Sequence, residues 1–390
     1  MIASIKIRNY KAIKSTRLTG LSNFHVLVGP NGSGKTSFLD VIEFIKSCLI
    51  NGPVKAVEER APEFRDLTFM RRGGPIEFDL TLQKVDRAPE TVGSLQYRLT
   101  LVADEKLGVR VAEELLQGIP KGSSVNKTRL LGKTATGKDF YRRESGTYTD
   151  SFQFGLDKLA LSMTPPDWER YPTGNAIKEF LGSGVRYIQL NSTAMRQPAQ
   201  ATRPTELDLD GTNLARVVGH LLRDRSAKGG KRSIEQWTQH LRYALDDLES
   251  IAWAARKPDN AEYLTLKFAG GLDCPTYLLS DGTLRMLALT LPAFLRSPPR
   301  LYMVEEPENG VHPHALEIIL KALRAIPGAQ VFVATHSPIV VQQADVGSLL
   351  CFSRNPQTGV SIMSGKSHPA LKDWDGTPDL GSIFISRILG

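Results

Sequence analysis

The chain has 390 residues, enough for two or three structural units around a large buried core. With 41% hydrophobic and 23% charged residues it is neither a disordered chain nor a small disulfide scaffold. Lys plus Arg total 49 against 41 Asp plus Glu, a net charge of +8 that is compatible with a polyanionic partner without demonstrating one.

The opening MIASIKIRNYK alternates like a strand and lacks the apolar stretch of a signal peptide. No run anywhere reaches the ~18 consecutive apolar residues of a transmembrane helix, so no membrane association is expected. Cys48, Cys274 and Cys351 lie far apart, outside any CxxC pair. That excludes a disulfide framework and zinc-finger spacing, and makes a reduced, cytoplasmic protein the expectation.

FHVLV (24–28) reads as a buried strand. Gly29, Pro30, Asn31, Gly32, Ser33, Gly34, Lys35 and Thr36 follow, a match to GxxxxGK[ST], with Ser37 next and the helical run FLDVIEFIKSCLI behind it. Glycines let such a loop wrap a phosphate with its N–H groups turned inward, and the helix N-terminus adds its dipole. Lys35 is expected to reach the β- and γ-phosphates of ATP, and Thr36 to hold Mg²⁺. IEFDLTLQK (76–84) and LQYRLTLVA (95–103) alternate as two antiparallel strands. Residues 119–150, rich in Gly, Ser, Thr, Lys and Arg, read as a loop or mobile excursion. Within them GKTATGK (132–138) is a partial phosphate-loop match followed by Asp139, and reads as a basic glycine-rich loop.

Two helices come next. One carries Leu214, Val217, Val218, Leu221 and Leu222 on one face behind a capping Thr212 or Asn213. The other opens with the capping box Ser233-Ile-Glu-Gln236. EYLTLKF (262–268) reads as a strand. LYMV (301–304) and VFVA (331–334) are short apolar strands flanking a helix with Leu316, Ile319, Leu320 and Leu323 on one face, which implies a parallel core sheet covered by helices.

Three segments of this last stretch carry chemistry. Ser280, Asp281, Gly282 and Thr283 follow Leu279 and precede a helical run, so Ser280 and the Gly282 backbone are placed where a γ-phosphate can bind. The strand LYMV ends in Glu305 and Glu306, in the order of a metal-holding acid followed by an acid that orients or deprotonates water. If the strand continues, the two acids point to opposite faces. His336 directly follows VFVA and Thr335, where it can hydrogen-bond a γ-phosphate or the attacking water. His312 and His314 have metal-like spacing but read as a loop pair.

Together the segments resemble the ABC-type ATPases of the SMC, RecF and OLD group. LSDGT resembles the LSGGQ signature, with Asp281 and Thr283 departing from it, and LYMVEE resembles a Walker B strand with Glu305 in place of the commoner Asp. EEPEN–VHP and ATHSP look most like OLD-like and RecF-like members, and IKIRNYKAI (5–13) resembles the opening strand and turn of these heads. Met195-Arg196 and DGTNLA (210–215) look like parts of that group's inserted region, and Gln83 and Gln96 are the nominal Q-loop choices. The resemblance implies an α/β P-loop NTPase head with a mostly parallel core sheet, an antiparallel β lobe and an inserted, mainly helical subdomain. The expected division is 1–118, 119–270 and 271–390. It also implies that ATP on one copy meets Ser280–Thr283 of a second, that binding closes this homodimer, and that hydrolysis with Glu306 as base, helped by Lys35 and His336, reopens it. Mg²⁺ would sit on Thr36 and Glu305.

Ser37 to Leu279 spans 243 residues without heptads, which excludes an SMC-like coiled-coil ring, and the roughly 50 residues after Pro338 are too short for the Toprim nuclease of full OLD proteins. Asp373-Trp-Asp375 reads as a loop. The leading expectation is the ATPase subunit of an antiviral defence system, acting on a separately encoded effector such as a nuclease. A RecF-like DNA-maintenance ATPase is the alternative, and a transporter subunit is disfavoured by the insert and the EEPEN wording. DNA contacts are expected at 121–143 (Lys121, Lys127, Arg129, Lys133, Lys138, Arg142, Arg143, with Phe140 and Tyr141 stacking on bases) and at 223–232 (Arg223, Arg225, Lys228, Lys231, Arg232).

Overall fold

A computed structural model describes residues 1–122, 127–134, 136–144, 148–223 and 229–389. It divides into two units: one holds 1–185, 346–374 and 387–390, the other 186–345 and 375–386.

The first unit opens with β1 (Ile2–Tyr10), β2 (Ile13–Thr19) and β3 (Phe24–Val28), then α1 (Lys35–Asn51) and α2 (Pro53–Glu58). Next come β4 (Ile76–Leu82), β5 (Val92–Asp104), β6 (Gly108–Pro120), β7 (Thr128–Lys133), β8 (Lys138–Arg142), β9 (Thr149–Gln153) and α3 (Pro172–Gly182). Eight of these strands form one antiparallel sheet in the order β2-β1-β4-β5-β6-β7-β8-β9. The alternation read in IEFDLTL is the reason β4 works there: Ile76, Phe78, Leu80 and Leu82 are buried while the residues between them are half-buried. Helix α1 rests on this sheet through a cluster of Tyr10, Phe44 and Phe78, whose ring centroids lie 5.3–5.9 Å apart. Burial of each such side chain contributes roughly 1.5–3 kcal/mol.

In the second unit β10 (Val185–Ile188) leads from α3 to the short α4 (Ser192–Met195), α5 (Leu214–Arg223) and α6 (Gly229–Leu241). β11 (Leu248–Ala255), β12 (Glu262–Phe268) and β13 (Leu272–Pro275) form a small antiparallel sheet. Then follow α7 (Asp281–Thr290), β14 (Leu301–Glu305), α8 (Pro313–Arg324), β15 (Gln330–Ala334) and α9 (Pro338–Gln342). β14 and β15 are parallel, with Val304 opposite Val333 and Glu305 opposite Ala334. The chain closes with the hairpin β16 (Leu349–Asn355) and β17 (Gly359–Ser364) in the first unit, and α10 (Leu380–Ile385) in the second. β16 runs parallel to β3.

Four expectations need correction. Residues 119–150 are not a loop: the described ones include strands β7 and β8, which extend the large sheet. Lys133 and Asp139 face each other across that pair as an ion pair at 2.6 Å, neither side chain exposing any surface, so Lys133 is not a phosphate contact. Tyr141 is buried and donates to the Ala160 carbonyl at 2.9 Å, which removes it as a base-stacking residue. The polar composition of this stretch masks its alternation, because buried ion pairing lets Lys and Asp occupy inward strand positions. Ser233 also lies inside α6, which starts at Gly229, and so is not its cap.

Two buried carboxylates elsewhere, Glu114 and Glu262, are closely partnered. Glu114 accepts from Tyr97 Oη and the Leu161 N–H, both at 2.9 Å, and burial pushes its carboxyl up to about 7. Glu262 accepts from Arg216 (2.6 Å), Arg223 (3.1 Å) and Trp253 Nε1 (2.8 Å), so Arg223 of the second basic run already has an acidic partner. Of the other residues in that run, Lys231 and Arg232 are exposed, while Asp224, Arg225 and Lys228 lie outside the described residues.

Lys133→Ala leaves the Asp139 carboxylate buried without its cation and should cost roughly 3–5 kcal/mol. A urea midpoint measurement checks this; a solvated surface lysine would cost no more than about 0.5 kcal/mol.

Candidate active site

In the first unit the phosphate loop joins β3 to α1. Gly34 caps α1 with φ 100°, and Gly29 and Gly32 also have positive φ. Gly34 has no room for a side chain: a Cβ there would meet Val360 Cγ2 at 2.5 Å. Lys35 is buried and donates to the carbonyls of Gly29 (2.7 Å) and Pro30 (3.2 Å), so its ammonium closes over the loop it follows. Ser33 Oγ is buried and without a hydrogen-bond partner among the described residues. Thr36 is exposed on the first turn of α1. A left-handed glycine, the N-terminus of a 17-residue helix with no side-chain cap, a lysine and an unsatisfied hydroxyl fit a phosphate chain.

Asp40, one turn further along α1, accepts from Tyr10 Oη and Lys11 Nζ, both at 2.5 Å, and from Arg60 Nε at 2.9 Å. Burial alone would raise its carboxyl; the two cations outweigh burial and hold it below the usual range. Local sequence spacing does not single out this cluster, because its members come from the end of β1 and the turn after it, from α1 and from the turn after α2.

The second unit holds the other segments. β14 stops at Glu305, and Glu306 turns out of the strand with φ 46°, a left-handed conformation uncommon for glutamate. The strand ends between the two acids, so the continuation on which opposite faces were expected does not occur. Glu305 is half-buried, with Oε1 buried and without a hydrogen-bond partner among the described residues and Oε2 accepting from Gln189 Nε2 at 3.2 Å. An unsatisfied buried carboxylate oxygen fits a bound cation. Glu306 is exposed; its N–H donates to the Ala334 carbonyl at 2.8 Å and its Oε2 accepts from Asn309 at 2.6 Å.

Glu308 is the residue that sequence reading missed. Its Oε1 accepts from Thr335 Oγ1 and from the His336 N–H, both at 2.7 Å, which ties the loop after β14 to the turn after β15. Gln189 was missed as well; Gln83 is exposed at the end of β4, and Gln96 binds Asp79 and Lys127 on the large sheet. The available signal for Gln189 was its position directly behind the short strand β10.

Ser280 caps α7 by accepting from the Thr283 N–H at 3.2 Å, and its hydroxyl lies 2.8 Å from Thr283 Oγ1. Asp281 pairs with Arg196, which also donates to the Leu279 carbonyl at 3.2 Å. A Cβ on Gly282 would meet the Gly310 carbonyl at 2.7 Å. The departures at 281 and 283 thus have local partners. His312 caps α8, and His314 contacts the Tyr243 carbonyl at 2.8 Å.

Comparison with known proteins bears on the fold. A crystal structure of the Smc head bound to the C-winged helix domain of ScpA superposes with a TM-score of 0.53, covering 93% of this chain and 97% of that one at 15% identity. A Pyrococcus furiosus Smc head domain with an extended coiled coil, bound to the C-terminal domain of ScpA, gives 0.52 over 93% and 96% at 13% identity. The fold is that of an SMC-type ATPase head. Two family models match in sequence: "AAA ATPase domain" over residues 1–88, and "AAA domain, putative AbiEii toxin, Type IV TA system" over 187–342. The chromosome partition protein Smc of Methanococcus voltae is 35% identical over 72 residues, 18% of this chain and 6% of that protein's length. These findings support the ABC/SMC-like ATPase resemblance drawn from the motifs. Among the described residues no helix is long and apolar enough to cross a membrane.

Glu308→Ala frees the Thr335–His336 turn from its anchor without touching the phosphate loop. It should lower kcat about tenfold or more and change ATP affinity by less than about twofold, as steady-state hydrolysis and nucleotide titration would show.

Proposed function

We propose that this chain is an ATP-hydrolysing switch that pairs head to head with a second copy when ATP is bound. The single observation that carries this reading is the phosphate loop, with its left-handed Gly34 at the start of α1 and Lys35 folded back on its carbonyls. Lys35 and the amides of Gly32 to Thr36 hold the β- and γ-phosphates. Thr36 and Glu305 would hold Mg²⁺, which would neutralise charge on the phosphates. Glu306, turned out of its strand, orients and deprotonates the attacking water. His336, fixed through its backbone by Glu308, meets the γ-phosphate. Ser280 and Gly282 present the N-terminus of α7 to ATP on the second copy.

We assign the switch to antiviral defence, governing a separately encoded effector such as a nuclease. The OLD-like wording of EEPEN and ATHSP and the toxin–antitoxin label of the 187–342 family model support this. The ScpA-bound Smc heads support a partner-binding ATPase in general. One observation favours a second reading, direct DNA binding: Lys121, Lys127, Arg129, Lys138 and Arg142 remain exposed on the β lobe. That reading predicts DNA retention that falls steeply with salt, and hydrolysis stimulated by DNA alone.

Lys35→Ala should abolish ATP binding. Glu306→Gln should bind ATP normally and lose at least a hundredfold in hydrolysis, the range removed with a general base. Hydrolysis by Glu306→Gln at the wild-type rate would remove Glu306 as the base. Purification of Glu306→Gln with ATP and Mg²⁺ from cells carrying the neighbouring genes should yield a second polypeptide in fixed ratio; its absence would favour the DNA-binding reading.

A further inference from the structure

The hairpin β16–β17 lies along the phosphate loop. Cys351 is in register with Val28 across the parallel β3–β16 pair, so residues beyond Cys351 run past the end of β3 as the loop leaves it. Phe352 closes on Gly29: its carbonyl would stand 2.3 Å from a Cβ on that glycine, and its ring packs against Phe38 of α1 at 5.7 Å. Val360, opposite Arg354 on the hairpin, closes on Gly34. Arg354 reaches the loop between them. Its Nη1 lies 3.9 Å from the point where a Cβ on Gly32 would stand.

Arg354 is exposed and, among the described residues, has neither an ion pair nor a hydrogen bond from its guanidinium. Its cross-strand partner is Val360, and the adjacent pairs are Ser353 with Ser361 and Asn355 with Gly359, so the hairpin offers it no carboxylate. An arginine with unused donors beside a phosphate-binding loop is matched to a phosphate oxygen, which it can hold with two parallel N–H bonds. Lys35 occupies the inner side of the loop, and Arg354 the Gly32 side.

We propose that Arg354 is a second phosphate-contacting cation of the nucleotide site, holding the phosphate chain of ATP bound to the same copy. This rests on the nucleotide-site reading above. The test is a titration of fluorescently labelled ATP into wild type, Lys35→Ala, Arg354→Ala and Arg354→Lys, with DNA retention measured on the same proteins. Arg354→Ala should bind ATP about tenfold more weakly, about 1.4 kcal/mol, with an unchanged melting temperature because the side chain is exposed. Arg354→Lys should fall between Arg354→Ala and wild type. Wild-type binding that is lost in Lys35→Ala but kept within twofold in Arg354→Ala overturns this assignment alone. A drop in DNA retention with unchanged ATP affinity also overturns it, since the phosphate contacted would then belong to nucleic acid. Wild type that binds no ATP overturns the underlying site as well.

Discussion

The absence of a Cβ at Gly34 is the constraint on which the nucleotide site depends. Val360 fills the space where that atom would be, and the φ of 100° turns the chain from β3 into α1 within a few residues. That turn starts α1 at Lys35, whose ammonium folds back onto the Gly29 and Pro30 carbonyls. The large antiparallel sheet supports this turn indirectly, by anchoring α1 through Tyr10, Phe44 and Phe78.

A second device serves the other half of the chemistry. A single carboxylate, Glu308, collects the hydroxyl of Thr335 and the amide of His336, and so couples the position of the histidine to the loop that carries Glu306. Glu306 itself adopts a backbone conformation that glutamate uses at a cost of the order of 1–3 kcal/mol. Such a cost is usually retained where a side chain must be aimed, here away from Glu305 and out of the strand.

The motifs were legible because each combines a fixed residue pattern with an apolar strand of four or five residues, and those strands fold as read: β3, β14 and β15 match to within a residue. What was not legible depends on pairing between distant segments. The Arg196–Asp281 and Glu308–His336 contacts join positions 85 and 28 residues apart, and no local periodicity reports them. The Lys133–Asp139 pair was misread for the opposite reason, since its residues look like solvated loop until the strands that bury them are paired. The hairpin beside the phosphate loop lay in plain view as LLCFS and GVSIM around the turn NPQTG, but it carries no motif that would have drawn attention to it.

The central claim is that ATP bound at the loop after β3 joins two copies of this chain. The most direct measurement is the mass of purified Glu306→Gln in solution, by light scattering, with Mg²⁺ and either ATP or ADP. Twice the monomer mass with ATP and the monomer mass with ADP is the result predicted. The same mass with both nucleotides would contradict the account.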